Sequence, residues 1–387
     1  MPTLVFFSEI KWKAMRSRKQ FMLSRFPPDW RILFLEPINF NRDNSWNLRR
    51  DGNVSYGTAP FVKLNTTSKP YNRLLGFAWF RRFNTWLARL QCARLLKQFG
   101  AGPDAVVCVS NIFAFPVAER LACLALCYDF NDHPFQFPGV PEWARPWMDA
   151  ALRSSDRTFV VSRYYMDELG RLGYPNLQFL GNGVEYDRFA GDSVVAEGLR
   201  GVPRPVIGYI GLVSFFLKFE WLEALAAAFP EATLVFVGPV HARVRERALA
   251  LMGKRPFLLV GEQPYEELGS WIRGFDVGLI PFDPDSPYTR AINPNKIYQY
   301  LACGVPVASC PMSAELAEAP GLVTAETAEE LVEAVRALLG KRPEPGPLQE
   351  FARQNDWSRK ALEMERGLRE AAGLHDTKEN SPPGARL

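Results

Sequence analysis

The stretch at residues 291–310, AINPNKIYQYLACGVPVASC, has residue types and spacing that suit anion binding. Asn293 is a good helix cap, because its side-chain oxygen accepts a hydrogen bond from a free backbone N–H, and Pro294 suits the first helical position. A helix N-terminus attracts anions, and Lys296 in the first turn adds a full charge. Gln299, one turn further on, can hydrogen-bond a sugar hydroxyl. The pattern predicts a diphosphate site; the alternative is an ordinary strand–helix unit with a solvated lysine.

A second group of reactive side chains follows the apolar run Ala122–Tyr128, which reads as a buried strand. Asp129, Asp132 and His133 come next, and two carboxylates with an imidazole at a strand end could carry out acid–base chemistry. The alternative is that one aspartate caps the next turn while the other is solvated. We favour a functional role for at least one of the two.

Two glycines and a lysine near the apolar run Val206–Ile210 suggest another contact to an anion. Gly208 and Gly211 flank the end of this predicted strand and allow a ligand to approach the backbone. Lys218 is expected in the first turn of the following helix, where its ammonium could bind a phosphate. A surface lysine explains the pattern equally well, because two glycines alone are a weak signal.

These residues need a framework, and strands and helices alternate along the chain as in a parallel sheet covered by helices. The apolar run Thr3–Ser8 predicts the first strand, and residues 16–26 predict the helix after it. The alternation begins again at Val206, and 387 residues favour two domains. Loops at the carboxyl ends of such strands face the ligand crevice, so the loop holding Trp12 is expected to contact substrate, with a solvated loop as the alternative.

The predicted organisation has four parts. The first α/β domain covers residues 1–190, and the second covers residues 204–346. A long charged helix follows at 347–372, and a disordered tail at 373–387. The polar, weakly patterned segment 191–204 is the expected boundary between the two domains.

Positive charge is concentrated at the beginning of the chain. Residues 1–100 hold 18 Lys and Arg against five Asp and Glu, although the whole chain carries a formal net charge of only +4. Such an excess indicates an anionic partner such as a membrane lipid, a phosphate-bearing substrate or a nucleic acid. A nucleic acid is disfavoured, because the charge lies on a long helix with bulky apolar neighbours and no known binding module is present.

That long helix is predicted at Leu74–Phe99, where apolar residues recur every three to four positions. It contains Trp79 and Trp86 among its aromatic residues and Arg81 and Arg82 among its basic ones, and it lacks acidic residues. This composition is typical of a helix that lies on a membrane surface. The alternative is a domain helix whose aromatic side chains pack on the sheet while its arginines face water.

Several classes of protein are disfavoured by composition. The six cysteines lie in apolar runs without metal-ligand spacing, which indicates free thiols in a reducing compartment. The three histidines are too scattered for a zinc site. No run is long enough to span a bilayer, and the N-terminus does not read as a signal peptide. The Asp283-Pro284-Asp285 triplet lies in a proline-rich loop, so we interpret it as a turn and predict no metal.

Taken together, the segments resemble a glycosyltransferase of the GT-B fold, in the branch that builds bacterial extracellular or cell-wall polysaccharides. The resemblance covers residues 3–372 and is carried by six ordered segments and the start of the second domain. The segments are WKAMRSRKQFMLSRF, YDFNDHPFQFPG, FLGNGVEYDRF, RPVIGYIG, PYEELGSWIRGFDVGLIPF, NPNKIYQYLACGVPV and QNDWSRK. The resemblance implies two Rossmann-like domains facing a cleft, with a last helix that returns to the first domain.

The resemblance also implies roles for particular residues. A nucleotide-sugar would bind to the second domain, with its diphosphate near Gly211, Lys296 and the Asn293 cap. Its nucleobase would lie between Gly261 and Tyr265, and its ribose near Gln299. Lys218 would be a further donor contact. The acceptor would arrive from the first domain, where Trp12, Arg18, Trp79, Arg81, Arg82 and Trp86 are the expected acceptor or membrane contacts.

Two positions depart from the family pattern. Many members carry glutamate where Gln299 stands, and many retaining members carry another where Ala291 stands. The missing pair weakens a retaining assignment. An inverting displacement needs a general base, for which Asp132 is the preferred candidate and Asp129 the second.

The sequence thus predicts a metal-independent, nucleotide-sugar-dependent glycosyltransferase without a cofactor, similar to hexosyltransferases. It is expected in the cytoplasm, peripheral on the inner face of the plasma membrane, acting on a saccharide or lipid-linked acceptor in polysaccharide synthesis. The alternatives are a non-catalytic relative that binds nucleotide-sugars and a sugar-nucleotide epimerase. The sugar, nucleotide, acceptor and stereochemistry stay open.

Overall fold

The computed structural model describes residues 1–14, 16–40, 43–61, 69–136, 139–191, 194–252 and 257–374. These residues form two α/β units, each built on its own mainly parallel sheet. Unit 1 contains Met1–Val160, Met166–Leu180 and the chain from Ala361 onward, and unit 2 contains Val161–Tyr165 and Gly181–Lys360. The predicted fold class of two doubly wound α/β domains is confirmed.

Unit 1 has an eight-stranded sheet in the order β3-β4-β2-β1-β5-β6-β7-β8. Its strands are β1 (Thr3–Phe7), β2 (Arg31–Pro37), β3 (Arg49–Asp51), β4 (Val54–Ala59), β5 (Ala105–Val109), β6 (Ala125–Phe130), β7 (Arg157–Val160) and β8 (Leu177–Phe179). Neighbouring strands run parallel except β3 and β4, which are antiparallel. The central strands are apolar throughout, as expected for strands covered on both faces.

The helices that cover this sheet differ from the prediction mainly around residue 75. They are α1 (Arg18–Leu23), α2 (Lys69–Leu74), α3 (Ala78–Phe99), α4 (Phe115–Ala118), α5 (Arg145–Ser154) and α6 (Arg163–Arg171). The helix predicted at Leu74–Phe99 therefore begins later, at Ala78, and Leu74 is the last residue of the separate helix α2. Helix α3 packs its buried side chains, Ala88, Cys92 and Leu95, into the core formed by β1, β2 and β5.

Unit 2 has a six-stranded, all-parallel sheet in the order β11-β10-β9-β12-β13-β14. Its strands are β9 (Val206–Ile210), β10 (Thr233–Val237), β11 (Phe257–Gly261), β12 (Val277–Ile280), β13 (Val307–Ser309) and β14 (Leu322–Thr324). Its helices are α7 (Tyr186–Ala190), α8 (Phe219–Ala228), α9 (Arg245–Met252), α10 (Leu268–Ile272), α11 (Pro287–Ala291), α12 (Asn295–Ala302), α13 (Ala328–Gly340) and α14 (Pro345–Gln354). Helices α8 and α13 contribute to one apolar core, and α10, α12 and α14 contribute to another.

The C-terminal part of the chain departs from the predicted single helix at 347–372. Helix α14 ends at Gln354, and a separate helix α15 (Trp357–Ala371) follows. The interruption pairs with Val184, whose N–H donates to the Asn355 carbonyl at 3.0 Å and whose carbonyl accepts from the Trp357 N–H at 2.9 Å. From Ala361 onward the helix belongs to unit 1.

Two further predictions concern the ends of the domains. The boundary expected at 191–204 lies earlier, because Gly181–Ala190 belongs to unit 2 through Val184 and Phe189, which are buried in its core. The predicted disorder of the tail concerns mostly residues 375–387, which lie outside the described ranges. In the described ranges, no helix has the length and apolar composition needed to cross a bilayer.

Candidate functional site

Helix α12 is attached to the ends of two strands of unit 2 by a buried tyrosine. The Tyr300 hydroxyl accepts a hydrogen bond from the Ile210 N–H at 2.9 Å and donates one to the Leu279 carbonyl at 3.2 Å. Its ring lies over Gly278, where an added Cβ would stand 2.9 Å from it. These contacts place the N-terminus of α12 beside the carboxyl end of β9.

The cap of this helix differs from the prediction. Helix α12 begins at Asn295 and Pro294 occupies the cap position, so the helix starts one residue later than expected. Asn293 does not cap it, because its side-chain oxygen accepts no hydrogen bond from a described residue. Its side-chain nitrogen donates to Glu315 Oε1 at 2.7 Å. The backbone N–H groups of Asn295 and Lys296 donate to no described residue. Two amides at the helix start are therefore available to an anion.

Lys296 presents a positive charge without a counter-charge at the same place. Its Nζ lies 5.2 Å from the ring centres of Tyr209 and Phe282. It makes no hydrogen bond or ion pair with any described residue. Burial lowers the pKa of its ammonium to about 8. A desolvated ammonium held only by two aromatic rings gains free energy when an anion binds beside it.

Glycines at three strand ends make room around this ammonium. Gly211 has φ +116°, and a Cβ added there would lie 2.5 Å from Lys296 Cε. Gly238 has φ +146°, and an added Cβ would lie 2.2 Å from the Gly211 carbonyl oxygen. Gly261 is the last residue of β11 and has φ +80°, and its carbonyl accepts from the Gly238 N–H at 2.8 Å. Side chains are thus excluded from the carboxyl ends of β9 and β10.

Gln299 belongs to a buried polar cluster on the same helix. The Tyr265 hydroxyl interacts by hydrogen bonding with the side chains of Gln299 and Glu185, and burial raises the pKa of this tyrosine well above its usual value. Glu185 also pairs with Arg188 at 3.3 Å. Tyr265 packs edge-on against Phe189, with 5.7 Å between ring centres. The structure therefore brings the predicted residues Tyr265 and Gln299 together.

Lys218 is not available to a phosphate as predicted. It stands at the cap position of α8, and its Nζ pairs with Asp283 at 2.7 Å and Asp285 at 3.4 Å. The hydrogen bond that Lys218 donates to Asp283 raises the pKa of its ammonium, as does the one it donates to Asp285. Two carboxylates already neutralise this ammonium. Among the described residues, no three His, Cys, Asp or Glu side chains are grouped so that they could hold a metal ion.

Asp129 in unit 1 has a structural position. Its side chain is fully buried, and its Oδ1 lies 3.1 Å from the guanidinium of Arg18. Arg18 is 5% exposed and also donates to the Leu180 carbonyl at 2.8 Å. A buried carboxylate needs such a partner, because an unpaired charge there would be very costly. Arg18 is thus not the predicted acceptor or membrane contact, and Asp129 is a poor candidate for the base.

Asp132, three residues further on, has the properties of a proton-transfer group. Burial raises the pKa of its carboxyl to about 7; Lys19 and Arg18 lower it, and Glu9 and Asp129 raise it. Lys19 forms an ion pair with Glu9, which also accepts from the Ser110 hydroxyl at 2.6 Å. The carboxyl ends of β1, β5 and β6 therefore bring together Glu9, Lys19, Ser110 and Asp132.

The loop after β1 does not expose Trp12 to a substrate. Trp12 is 6% exposed, its indole N–H donates to Asp51 at 2.8 Å and its backbone N–H donates to Glu36 at 2.9 Å. The ring packs edge-on against Phe34. The predicted acceptor or membrane role of Trp12 is wrong, because these partners place it in the core.

Helix α3 exposes its bulky side chains, contrary to the alternative in which they pack on the sheet. Its apolar stripe consists of Trp79, Phe83, Trp86 and Leu90, which are 63%, 48%, 52% and 53% exposed. Arg82 is exposed as well, whereas Arg81 is half-buried with its guanidinium 4.5 Å from the Trp143 ring. The helix therefore presents aromatic and cationic side chains to the surroundings of the protein.

Some residues of these clusters were not found from the sequence. Lys19 stands next to Arg18 in the basic first helix, and Glu185 lies within the FLGNGVEYDRF segment; neither was singled out. Tyr209 and Phe282 read as ordinary core residues of apolar runs. Their proximity to Lys296 depends on strand order and could not be read from spacing.

Comparison with known proteins finds glycosyltransferases over part of the chain. Residues 204–341 match the family model described as Glycosyl transferases group 1. The chain is 30% identical over 131 residues to TuaH of Bacillus subtilis, which is described as a teichuronic acid biosynthesis glycosyltransferase. That match covers 33% of this chain and 32% of TuaH, so the chain spans about a third of the curated relative.

Solved structures match nearly the whole chain. Sucrose-phosphate synthase from Thermosynechococcus elongatus has a TM-score of 0.76 at 14% identity, covering 97% of this chain and 100% of that one. Anabaena HepE in complex with UDP and glucose has a TM-score of 0.63 at 13% identity, covering 94% and 98%. These likenesses, together with the family match, confirm the resemblance to GT-B glycosyltransferases.

Proposed function

Because the chain has the GT-B fold and residues 204–341 match the glycosyl transferases group 1 family, we propose that it transfers a sugar from a nucleotide-sugar to a saccharide acceptor. The observation that carries the proposal is the Lys296 ammonium, which has no described counter-charge and faces Gly211 beside two free amides. A diphosphate placed there would receive a charge-assisted hydrogen bond and the partial positive charge of α12.

In this reaction the bond between the sugar C1 and the diphosphate oxygen breaks, and a bond from C1 to the acceptor oxygen forms. Lys296 and the start of α12 stabilise the negative charge that develops on the leaving diphosphate. Asp132 takes the proton of the acceptor hydroxyl, for which a carboxyl with a pKa of about 7 is well suited. Tyr265 and Gln299 would hold the nucleoside, and no metal or cofactor is invoked.

The acceptor we propose is a lipid-linked saccharide, reached at an anionic membrane surface of the cytoplasm. The exposed apolar stripe and the arginines of α3 support this part of the proposal, because amphipathic basic helices bind anionic lipid surfaces. The likeness to TuaH supports a role in cell-surface polysaccharide synthesis.

Isothermal calorimetry with UDP, GDP and dTDP and their sugars tests the donor site. Similar structures hold UDP, so UDP-sugars are tested first. Lys296→Met should weaken binding of the preferred nucleotide about 10- to 150-fold, the value of one charge-assisted hydrogen bond. Affinity should also fall as the pH is raised from about 7 to about 9, because Lys296 with its pKa of about 8 then loses its proton.

Lys218→Met is the matched control, since it removes a lysine of the same unit whose charge is already neutralised by Asp283 and Asp285. It should leave nucleotide affinity almost unchanged. Equal affinity of the Lys296→Met protein and the unmodified protein would refute the proposed donor site. Nucleotide-sugar binding without transfer to lipid acceptor extracts would instead favour a non-catalytic binding protein. Gln299 and Ala291 support this alternative, because they stand where many family members carry glutamate.

A further inference from the structure

Unit 1 contains a cavity of about 580 Å³ that the chemistry above does not use. It lies between helix α3, the end of α4 and helix α5. Four arginines line this arginine cavity, together with two tryptophans: Arg81, Arg82, Arg89, Arg120, Trp86 and Trp147. One carboxylate, that of Glu119, opposes the four positive charges, so the cavity has a net positive charge.

Two of these arginines carry charges that no described residue neutralises. Arg82 and Arg89 form no hydrogen bond or ion pair with a described residue. Arg120 lies 4.0 Å from the carboxylate of Glu119, at the limit of an ion pair. Guanidinium groups bind phosphate through paired, parallel N–H···O hydrogen bonds, which makes a cluster of free arginines a suitable phosphate site.

The position of the arginine cavity connects it with the apolar stripe of α3. Arg82 and Arg89 are seven residues apart and therefore lie on the same face of the helix. The apolar stripe occupies the neighbouring face, and Trp86 belongs to both, because it lines the cavity and is 52% exposed. A ligand with a phosphate in the cavity could lay an apolar chain along the stripe.

We propose that the arginine cavity binds the diphosphate headgroup of the lipid-linked acceptor, an inference that rests on the proposed function. A concave site with several guanidinium groups suits a diphosphate, which carries more than one negative charge. The phosphodiester of a bulk phospholipid carries a single negative charge. A flat basic surface would attract it as strongly as the arginine cavity does. Trp147 lines the same cavity and offers a ring face to a first sugar attached to the diphosphate.

Vesicle binding by the full chain tests this proposal. Vesicles of phosphatidylcholine contain either phosphatidylglycerol or a polyprenyl diphosphate, adjusted to the same surface charge. The unmodified protein should bind the diphosphate vesicles more tightly. R82Q/R89Q should lose about 30-fold in affinity for the diphosphate vesicles, because each arginine near a lipid phosphate contributes about a factor of five. The preference for diphosphate over phosphatidylglycerol should disappear in this variant.

R94Q/K97Q is the matched control, because it removes two positive charges from the same exposed helix outside the cavity. It should weaken binding to both kinds of vesicle equally and retain the preference. Equal binding of both kinds of vesicle by the unmodified protein, or a retained preference in R82Q/R89Q, would overturn the inference. UDP binding is measured on the same proteins; its absence in the unmodified protein would refute the proposed function, whatever the vesicles show.

Discussion

At the scale of single residues, burial perturbs one ionisable side chain in each of the two candidate sites. Burial lowers the pKa of the Lys296 ammonium to about 8 and raises the pKa of the Asp132 carboxyl to about 7. In each case burial disfavours the charged form of the group. Lys296 recovers its full charge when an anion binds, and Asp132 becomes a group that can exchange a proton near neutral pH. Groups with pKa values perturbed by burial and by nearby charges cluster at functional sites.

Asp132→Asn should reduce the rate of transfer about 10²- to 10⁴-fold, the usual contribution of a general base, while UDP affinity stays unchanged. The base form of Asp132 predominates above its pKa of about 7, and the Lys296 ammonium loses its proton above its pKa of about 8. The kcat/KM of the unmodified protein should therefore rise with pH up to about 7 and fall again above about 8. Steady-state kinetics over a pH series measures both effects. The residual kcat/KM of the Asp132→Asn protein should not rise with pH up to about 7.

Asp167→Asn provides the comparison for this experiment, because it removes an exposed carboxylate of the same unit from α6. It should change neither the rate nor its pH dependence. A normal rate in the Asp132→Asn protein would exclude Asp132 as the base. If the pH profile of the Asp132→Asn protein is unaltered as well, the pH dependence of the rate belongs to another group, such as the bound acceptor.

At the scale of single elements, the donor site depends on how α12 is attached to the sheet. The Tyr300 hydroxyl bridges the Ile210 N–H and the Leu279 carbonyl. This attachment sets the distance between Lys296 and Gly211. A Cβ added at position 211 would lie 2.5 Å from Lys296 Cε, so a residue other than glycine does not fit there. The position of the first turn of α12 therefore depends on the contacts of the whole helix, including those of Tyr300, and not on Lys296 alone.

Tyr300→Phe should lower the free energy of unfolding by about 1–3 kcal/mol, because it leaves buried backbone groups without a partner. It should also weaken UDP binding, since the helix loses its attachment to β9. Urea unfolding and calorimetry measure the two effects. Tyr186→Phe is a suitable control, because no hydrogen bond of that hydroxyl to a described residue is found. Unchanged UDP affinity in the Tyr300→Phe protein would show that the attachment does not position Lys296.

The elements themselves were largely predictable, because a strand covered on both faces is a continuous apolar run. The predicted bounds of β9, Val206–Ile210, agree with the structure. The sequence does not show which face of helix α3 is buried. Helix α3 buries small residues because it approaches the sheet closely: a Cβ added at Gly57 would lie 3.0 Å from Leu95. Its larger aromatic side chains are left exposed by this close approach.

The predicted site residues that proved wrong share one cause: their partners lie far away in the sequence. Lys218 pairs with Asp283, 65 residues later, and Arg18 pairs with Asp129, 111 residues later. The indole N–H of Trp12 donates to Asp51, 39 residues later. A charged or aromatic residue in a loop reads as a ligand contact until its partner is known. The diphosphate contact predicted for Lys296 stays a prediction, and Lys296 has no described partner that would occupy its ammonium.

At the scale of the whole molecule, the chain completes unit 1 with its C-terminal helix. From Ala361 onward α15 belongs to that unit, and its Glu365 accepts from the Trp30 indole N–H at 2.7 Å. Arg369 pairs with Asp29 at 2.7 Å. The last helix and the first forty residues are thus held together, so unit 1 is complete only when the entire chain up to this helix is present.

Gly367 makes this packing testable, because α15 lies close to β7 and β8 at this residue. A Cβ at this position would lie 2.7 Å from the Phe159 ring and 2.6 Å from Gln178 Oε1. Gly367→Leu should therefore lower the free energy of unfolding by about 1–3 kcal/mol through overpacking, although leucine favours helices. Gly340→Leu, at the end of α13 with no atom near its added Cβ, should be neutral. Scanning calorimetry with and without UDP should show a destabilised protein that still binds the nucleotide, since the donor site lies in unit 2. A Gly367→Leu protein as stable as the Gly340→Leu protein would contradict the packing of α15 on unit 1.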